Sequence, residues 1–185
     1  IDKIQSKTFK NCSNLKNITI PDTVKSIEEE SFCHCSSLTE IIIPESVTNI
    51  KDSAFEKCTN IRTITIPNSV TAIGKKTFQD CSFLVQATLP SSINILNDYT
   101  FRNCANLKDI TIPESITTLG GHCFRGCSSL EKLQIPSTVT TINPYAFMGC
   151  SKLKTISLPE SLTTLSRCLF SGCSNLTEIA IPSKV

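Results

Sequence analysis

The chemically capable residues of this chain are its eleven cysteines and two histidines. Thiolates and imidazoles ligate zinc, and thiols pair as disulfides or attack electrophiles. Eight cysteines stand 23 residues apart: Cys12, Cys35, Cys58, Cys81, Cys104, Cys127, Cys150 and Cys173. A structural zinc centre instead draws four ligands to one point. His34 shares a 23-residue unit with Cys33 and Cys35, and His122 falls four units away. At about 4.8 Å per stacked unit the two imidazoles are about 19 Å apart, so no metal site is expected. Disulfides between neighbouring units fit the permitted Cα range, but parallel Cα–Cβ vectors hold the sulfurs apart. The favoured reading is a column of small, buried side chains.

The other three cysteines fall in different columns. Cys123 aligns with Thr8, Ser31, Ala54, Thr77, Thr100 and Ala146, a small column, and is expected to be an inert buried thiol. Cys33 aligns with Lys10, Glu56, Gln79, Arg102 and Arg125, and Cys168 with Lys7, Glu30, Lys76 and His122. Both are expected to be exposed and unpaired. Such free thiols point to a reducing or microaerobic setting. A catalytic pair needs unlike groups brought together from different parts of a fold. Here each column repeats nearly one residue type, so the expected class is non-enzymatic, without a cofactor.

Composition narrows the rest. With 39% apolar and 18% charged residues, the chain has the balance of a folded domain. A net charge of +2 gives no electrostatic case for nucleic acid or an anionic membrane. No window approaches the ~20 apolar residues of a membrane span. The triplets at Asn11, Asn17 and Asn175 match the N-glycosylation pattern, which matters if the chain is secreted by a eukaryote.

The cysteine spacing is one part of a longer pattern. Phe9, Phe32, Phe55, Phe78, Phe101, Phe124, Phe147 and Phe170 are also 23 apart, as are Pro21, Pro44, Pro67, Pro90, Pro113, Pro136, Pro159 and Pro182. The unit reads Phe-x-x-Cys-x-x-Leu-x-x-Ile-x-Ile-Pro-x-Ser-Val-x-x-Ile. Repetition at this period means a solenoid. One unit cannot fold alone. Each buried apolar side chain contributes about 1.5–3 kcal/mol, whereas ordering costs about 1–2 kcal/mol per residue in backbone entropy. Stacking reverses the balance by burying both faces of each coil.

The columns then assign local structure. Ile18 and Ile20, two apart, point to one side of a strand, which Pro21 ends. A second short strand fits Val24–Ile27. The hydroxyls at Thr23, Ser46, Ser69, Ser92, Ser115, Thr138 and Ser161 are expected to bond backbone in the following turn, and those after each column cysteine to bond locally. Phe and Cys, three apart, suit a short helical or 3₁₀ turn. The column Asn11, His34, Lys57, Asp80, Asn103, Gly126, Gly149, Gly172 marks a left-handed position ending that turn. The expected fold is a single right-handed β-α (β/3₁₀) solenoid over residues 1–185, with about eight units and one parallel sheet of short strands.

This spacing resembles the BspA-like leucine-rich repeat family, with its 23-residue Treponema-type unit, its Ile-x-Ile-Pro-x-Ser-Val run and its Phe-x-x-Cys. The resemblance covers the whole chain. It implies a cell-surface or secreted protein used in adhesion or host interaction, with a host, extracellular-matrix or other cell-surface protein as partner. An intracellular scaffold or signalling adaptor is the alternative. The residues flanking the inward strand position form two outward columns. One holds Asn17, Glu40, Thr63, Gln86, Asp109, Lys132, Thr155 and Glu178. The other holds Thr19, Ile42, Thr65, Thr88, Thr111, Gln134, Ser157 and Ala180. Repeat proteins use this concave face for extended partners.

Two departures carry expectations of their own. Ala87 replaces an inward isoleucine, while Phe83, Val85 and Ile95 replace polar residues. Phe83 or Ile95 is expected to fold over and fill the space left at Ala87. Neither end carries a polar capping sequence, so the chain is expected to be an excerpt of a longer protein, or to associate end to end with other copies.

Overall fold

The computed structural model describes residues 1–185. Twelve short strands run in chain order: β1 Lys3–Ile4, β2 Ser26–Ile27, β3 Asn49–Ile50, β4 Thr63–Thr65, β5 Ala72–Ile73, β6 Gln86–Thr88, β7 Ile95–Leu96, β8 Asp109–Ile110, β9 Thr118–Leu119, β10 Lys132–Gln134, β11 Thr141–Ile142 and β12 Thr155–Ser157. Every pairing is parallel and joins residues 23 apart, such as Ile4 with Ile27 and Ile64 with Ala87. Like side chains therefore lie over like side chains, and the chain is a solenoid.

The strands form two rows, the expected Ile-x-Ile strands and the second short strand that the Val24–Ile27 stretch fitted. The Ile-x-Ile segments pair as β4-β6-β8 and β10-β12, and a bridge from Thr155 to Glu178 carries that row onward. The Val-x-x-Ile segments pair as β1-β2-β3-β5 and β7-β9-β11. The second row exists because Val24, Val47, Val70, Ile116 and Val139 are fully buried, so this stretch must also run across the stack with one side inward. Its interruption has a local cause. Within the row, Gly74 N–H donates to the Ile50 carbonyl at 2.8 Å, and Gly120 N–H to that of Leu96 at 2.7 Å. At the break the Asn97 side-chain amide takes the Ile73 carbonyl instead, at 2.7 Å.

The phenylalanine side carries turns and no helix, against the expected helical or 3₁₀ pieces. Left-handed backbone occurs at the expected column, from Asn11 (φ 64°) to Gly172 (φ 78°). It also occurs four residues earlier at an unpredicted one: Lys7, Glu30, Ser53, Lys76, Tyr99, His122, Tyr145 and Cys168. The two sites flank each phenylalanine and turn alternate peptides outward along the stack. Glu30, Phe32 and His34 donate N–H bonds to the Asp52, Ala54 and Glu56 carbonyls of the next coil at 3.0, 2.9 and 2.8 Å. Ser31, Cys33 and Cys35 donate back within their own coil. A helix would direct all these donors internally. Here half of them link the coils.

Where the hydroxyl columns bond, they bond between coils rather than locally, while the hydroxyls of Ser69 and Ser115 are buried and unpartnered. Ser46 donates to the Val24 carbonyl at 2.7 Å and Thr138 to that of Ile116 at 2.9 Å. Ser128, after a column cysteine, donates to the Ala105 carbonyl at 3.2 Å. Stacking places the preceding coil's carbonyls closer to these side chains than any local turn acceptor.

The core is one apolar cluster running the length of the stack. The phenylalanines form its spine, with successive ring centroids 5.2–5.8 Å apart and planes within 11° of parallel. This offset stacking suits the ring quadrupoles. Phe32 through Phe147 are fully buried, while Phe9 and Phe170, with a neighbour on one side only, are half-buried. The expected filling of Ala87 does not occur. Phe83 and Ile95 remain 49% and 41% exposed. In β7 the pleat sends Leu96 inward and Ile95 outward, so Ile95 cannot reach the core.

Candidate functional site

The Ile-x-Ile row presents one recessed face. Ile64, Ala87, Ile110, Leu133 and Ile156 point inward and are buried. Their neighbours alternate outward, as in the exposed–buried–exposed pattern of β4, β6, β10 and β12. All sixteen residues of the two outward columns are exposed, and the register stacks them in two parallel files. Asp109, Thr111, Lys132, Gln134, Thr155, Ser157, Glu178 and Ala180 line a groove of about 640 Å³ with Lys108 at its edge. Gln86, Thr88, Asp109 and Thr111 line an adjoining recess of about 470 Å³ with Asn68 and Ser91. Asn17, Thr19, Glu40, Ile42, Thr63 and Thr65 lie on the same face outside these two recesses. Among them Ile42 is 72% exposed, the largest apolar projection of the columns. Beside the groove, Lys154 donates to Glu131 at 2.8 Å, and this bond holds the Glu131 carboxyl below its ordinary range.

Backbone in β4-β6-β8 and β10-β12 is engaged in the strand ladders, so recognition there falls to side chains. The groove mixes hydroxyls, an amide and charges of both signs. It suits an extended polar partner read by hydrogen bonds and short-range charge pairing.

All eleven cysteines are free thiols. Seven of the column thiols donate to the phenylalanine carbonyl of the preceding coil at 3.1–3.2 Å, from Cys35 on Phe9 to Cys173 on Phe147. Cys12 belongs to the first coil, has no such neighbour, and is exposed. Burial raises the Cys35 thiol pKa to about 11 and drives those of Cys58, Cys104 and Cys123 well up. These thiols stay protonated and unreactive. Cys168 is exposed as expected, but Cys33 is buried, against expectation. Its column runs beside the phenylalanine spine, where Gln79 is buried too, and the short thiol lies among the charged groups of Lys10, Glu30 and Glu56. Burial and the two carboxylates raise its pKa to about 11.

Sequence reasoning missed one surface feature. Tyr99, His122 and Tyr145 occupy one column, and their rings stack on the outside of the phenylalanine turns at 4.7 and 4.6 Å. Their 23-residue spacing was visible, but this column otherwise carries lysine, glutamate, serine and cysteine, which hid it.

Two rows of short parallel strands, a stacked aromatic spine and a groove on one strand row define a leucine-rich-repeat solenoid. The sequence profile of the BspA type Leucine rich repeat region matches residues 2–131 and 120–185 in 6 copies. The chain belongs to this family. Similar solved structures include leucine-rich repeat proteins of bacteria. A leucine-rich repeat protein from Eubacterium ventriosum is 32% identical with a TM-score of 0.79, over 90% of this chain and 44% of that one. One from Bacteroides ovatus is 30% identical with a TM-score of 0.74, over 97% of this chain and 52% of that one. A leucine rich cell surface protein from Faecalibacterium prausnitzii is 27% identical with a TM-score of 0.57, over 100% of this chain and 65% of that one. The chain therefore spans about half the length of the first two. No curated protein sequence matches it.

Proposed function

We propose that this solenoid is a non-enzymatic protein-interaction module displayed on a cell surface, where it serves adhesion or host interaction. The carrying observation is the groove of about 640 Å³ lined by both outward strand columns. A partner laid along the stack meets Gln86, Thr88, Asp109, Thr111, Lys132, Gln134, Thr155, Ser157 and Glu178 in register, with Asn17, Thr19, Glu40, Ile42, Thr63 and Thr65 extending the face. Surface display is supported by the F. prausnitzii relative, described as a cell surface protein. The polar groups come from like columns and do not converge as an acid–base pair would, which supports a binding role over catalysis.

The test is surface plasmon resonance of the full chain over immobilised extracellular-matrix proteins. Thr88→Arg, Thr111→Arg and Gln134→Arg together should fill the groove and its adjoining recess, abolish binding and leave the melting temperature unchanged. Equal binding by this variant would remove the groove from the account. A second reading, an intracellular scaffold, draws on the eleven free thiols. Surface biotinylation of the native host cell separates the two, since a scaffold would escape labelling.

A further inference from the structure

The Tyr99–His122–Tyr145 ladder lies on the turn side, away from the groove, and is set among cations. Arg102 Cζ and Lys76 Nζ stand 5.7 and 5.9 Å from the Tyr99 ring centroid, and Arg167 Cζ stands 5.2 Å from that of Tyr145. Arg125 Nη1 approaches His122 Nδ1 at 3.5 Å. None of these four cations forms a salt bridge. Arg102 Nε is moreover buried without a hydrogen-bond partner. The nearest carboxylate on the ladder, Asp98, is already engaged by Lys75 at 3.0 Å and by Gly121 N–H at 2.9 Å. The result is a local excess of positive charge on a chain whose net charge is only +2.

Geometry limits what such a patch can hold. The rings stack on one another, so their faces are occupied and their polar edges point outward. The backbone N–H groups of Tyr99, His122 and Tyr145 are used on the next coil's carbonyls. No donor remains to pair with a peptide strand, and no apolar pocket receives a side chain. What remains is a row of phenol and imidazole edges framed by guanidinium groups, beside a recess of about 300 Å³ bounded by Gly121, Asn143 and Pro144. Guanidinium forks match planar or tetrahedral oxyanions in paired hydrogen bonds. Phenols suit hydroxyl and ether oxygens. A repeating polymer with both kinds of group fits a ladder that itself repeats.

We propose that this ladder binds a sulfated acidic glycan, independently of the groove on the strand face. Arg102, Arg125 and Arg167 would take the sulfate or carboxylate oxygens, and the Tyr99 and Tyr145 hydroxyls the sugar oxygens; Arg167 donates to the Tyr145 hydroxyl, which leaves that hydroxyl its own proton to give.

The experiment measures binding of the full chain to immobilised heparin, fully desulfated heparin and polyglutamate. Wild type should bind heparin with micromolar affinity, weaken as salt rises, and bind the other two at least tenfold more weakly. Arg102→Gln, Arg125→Gln and Arg167→Gln together should cost at least tenfold in affinity with the melting temperature retained. Tyr99→Phe with Tyr145→Phe keeps the stack and should cost about fivefold if each hydroxyl contributes a modest hydrogen bond. A control replacing Lys3, Lys16 and Lys25 by Gln removes as much charge elsewhere and should bind as wild type. Absence of heparin binding overturns the proposal, as does equal binding by the arginine variant. So does polyglutamate binding as tight as heparin, which would assign the patch to acidic peptides. So does equal loss in the lysine control, which would reduce the effect to net charge.

Discussion

The thiol of Cys104 donates to the carbonyl of Phe78, one coil below, at 3.1 Å. That carbonyl also accepts the Cys81 N–H at 3.3 Å, so a single oxygen ties together two coils. The recurring cysteine is thus small enough for the core, apolar enough to be buried, and still a donor. Cys104→Ala should lower stability by about 1–2 kcal/mol through the lost hydrogen bond and packing. Cys104→Ser keeps a donor and should lose less. Urea melts of both decide it: a serine variant no better than the alanine one would make the thiol a mere filler.

Phe101 lies between Phe78 and Phe124, with ring centroids at 5.5 and 5.7 Å, and is fully buried. Removing the ring leaves a cavity inside the spine. Phe101→Ala should cost about 3–5 kcal/mol, whereas Phe170→Ala, in a half-buried terminal ring, should cost less. Chemical denaturation compares the two, and similar losses would contradict the difference in burial.

Gly149 has φ +75°, and a Cβ added there meets nothing nearer than Gly126 at 3.7 Å. The cost of Gly149→Ala is therefore backbone strain without a clash, about 1–2 kcal/mol for a left-handed residue with a Cβ. A melting curve identical to wild type would show that the turn relaxes out of that conformation.

Thiol accessibility gives a direct count. Only Cys12 and Cys168 are exposed. Ellman's reagent should titrate two thiols rapidly in the native protein and eleven after denaturation. Fast reaction of Cys33 in the native state would show that its covering side chains do not seal it.

His122 is held below the ordinary imidazole pKa by partial burial first, then by Arg125 and Arg102, with Asp98 opposing. Tyr99 and Tyr145 pack on its two faces. Because the folded value is depressed, this contribution to stability is complete above the unfolded pKa near 6.5. It falls away as pH drops from there toward the folded value. The melting temperature should therefore decline from pH 7.5 to 5 more in wild type than in His122→Asn. Parallel declines would assign the loss to other groups.

The repeated columns of phenylalanine, cysteine, isoleucine and proline determined the solenoid, its 23-residue register and the left-handed turn from Asn11 to Gly172. Each of these follows from identical residues having to occupy identical environments. The outward strand columns were legible for the same reason, since a pleat alternates side chains whatever surrounds them. Contacts between coils were not legible. The Ser46 bond to Val24, the capture of the Ile73 carbonyl by Asn97, the burial of Cys33 and the cations around Tyr99 all depend on how side chains of neighbouring coils settle against one another. Their meeting depends on the stagger and rise of the stack, and only the tertiary structure decided those.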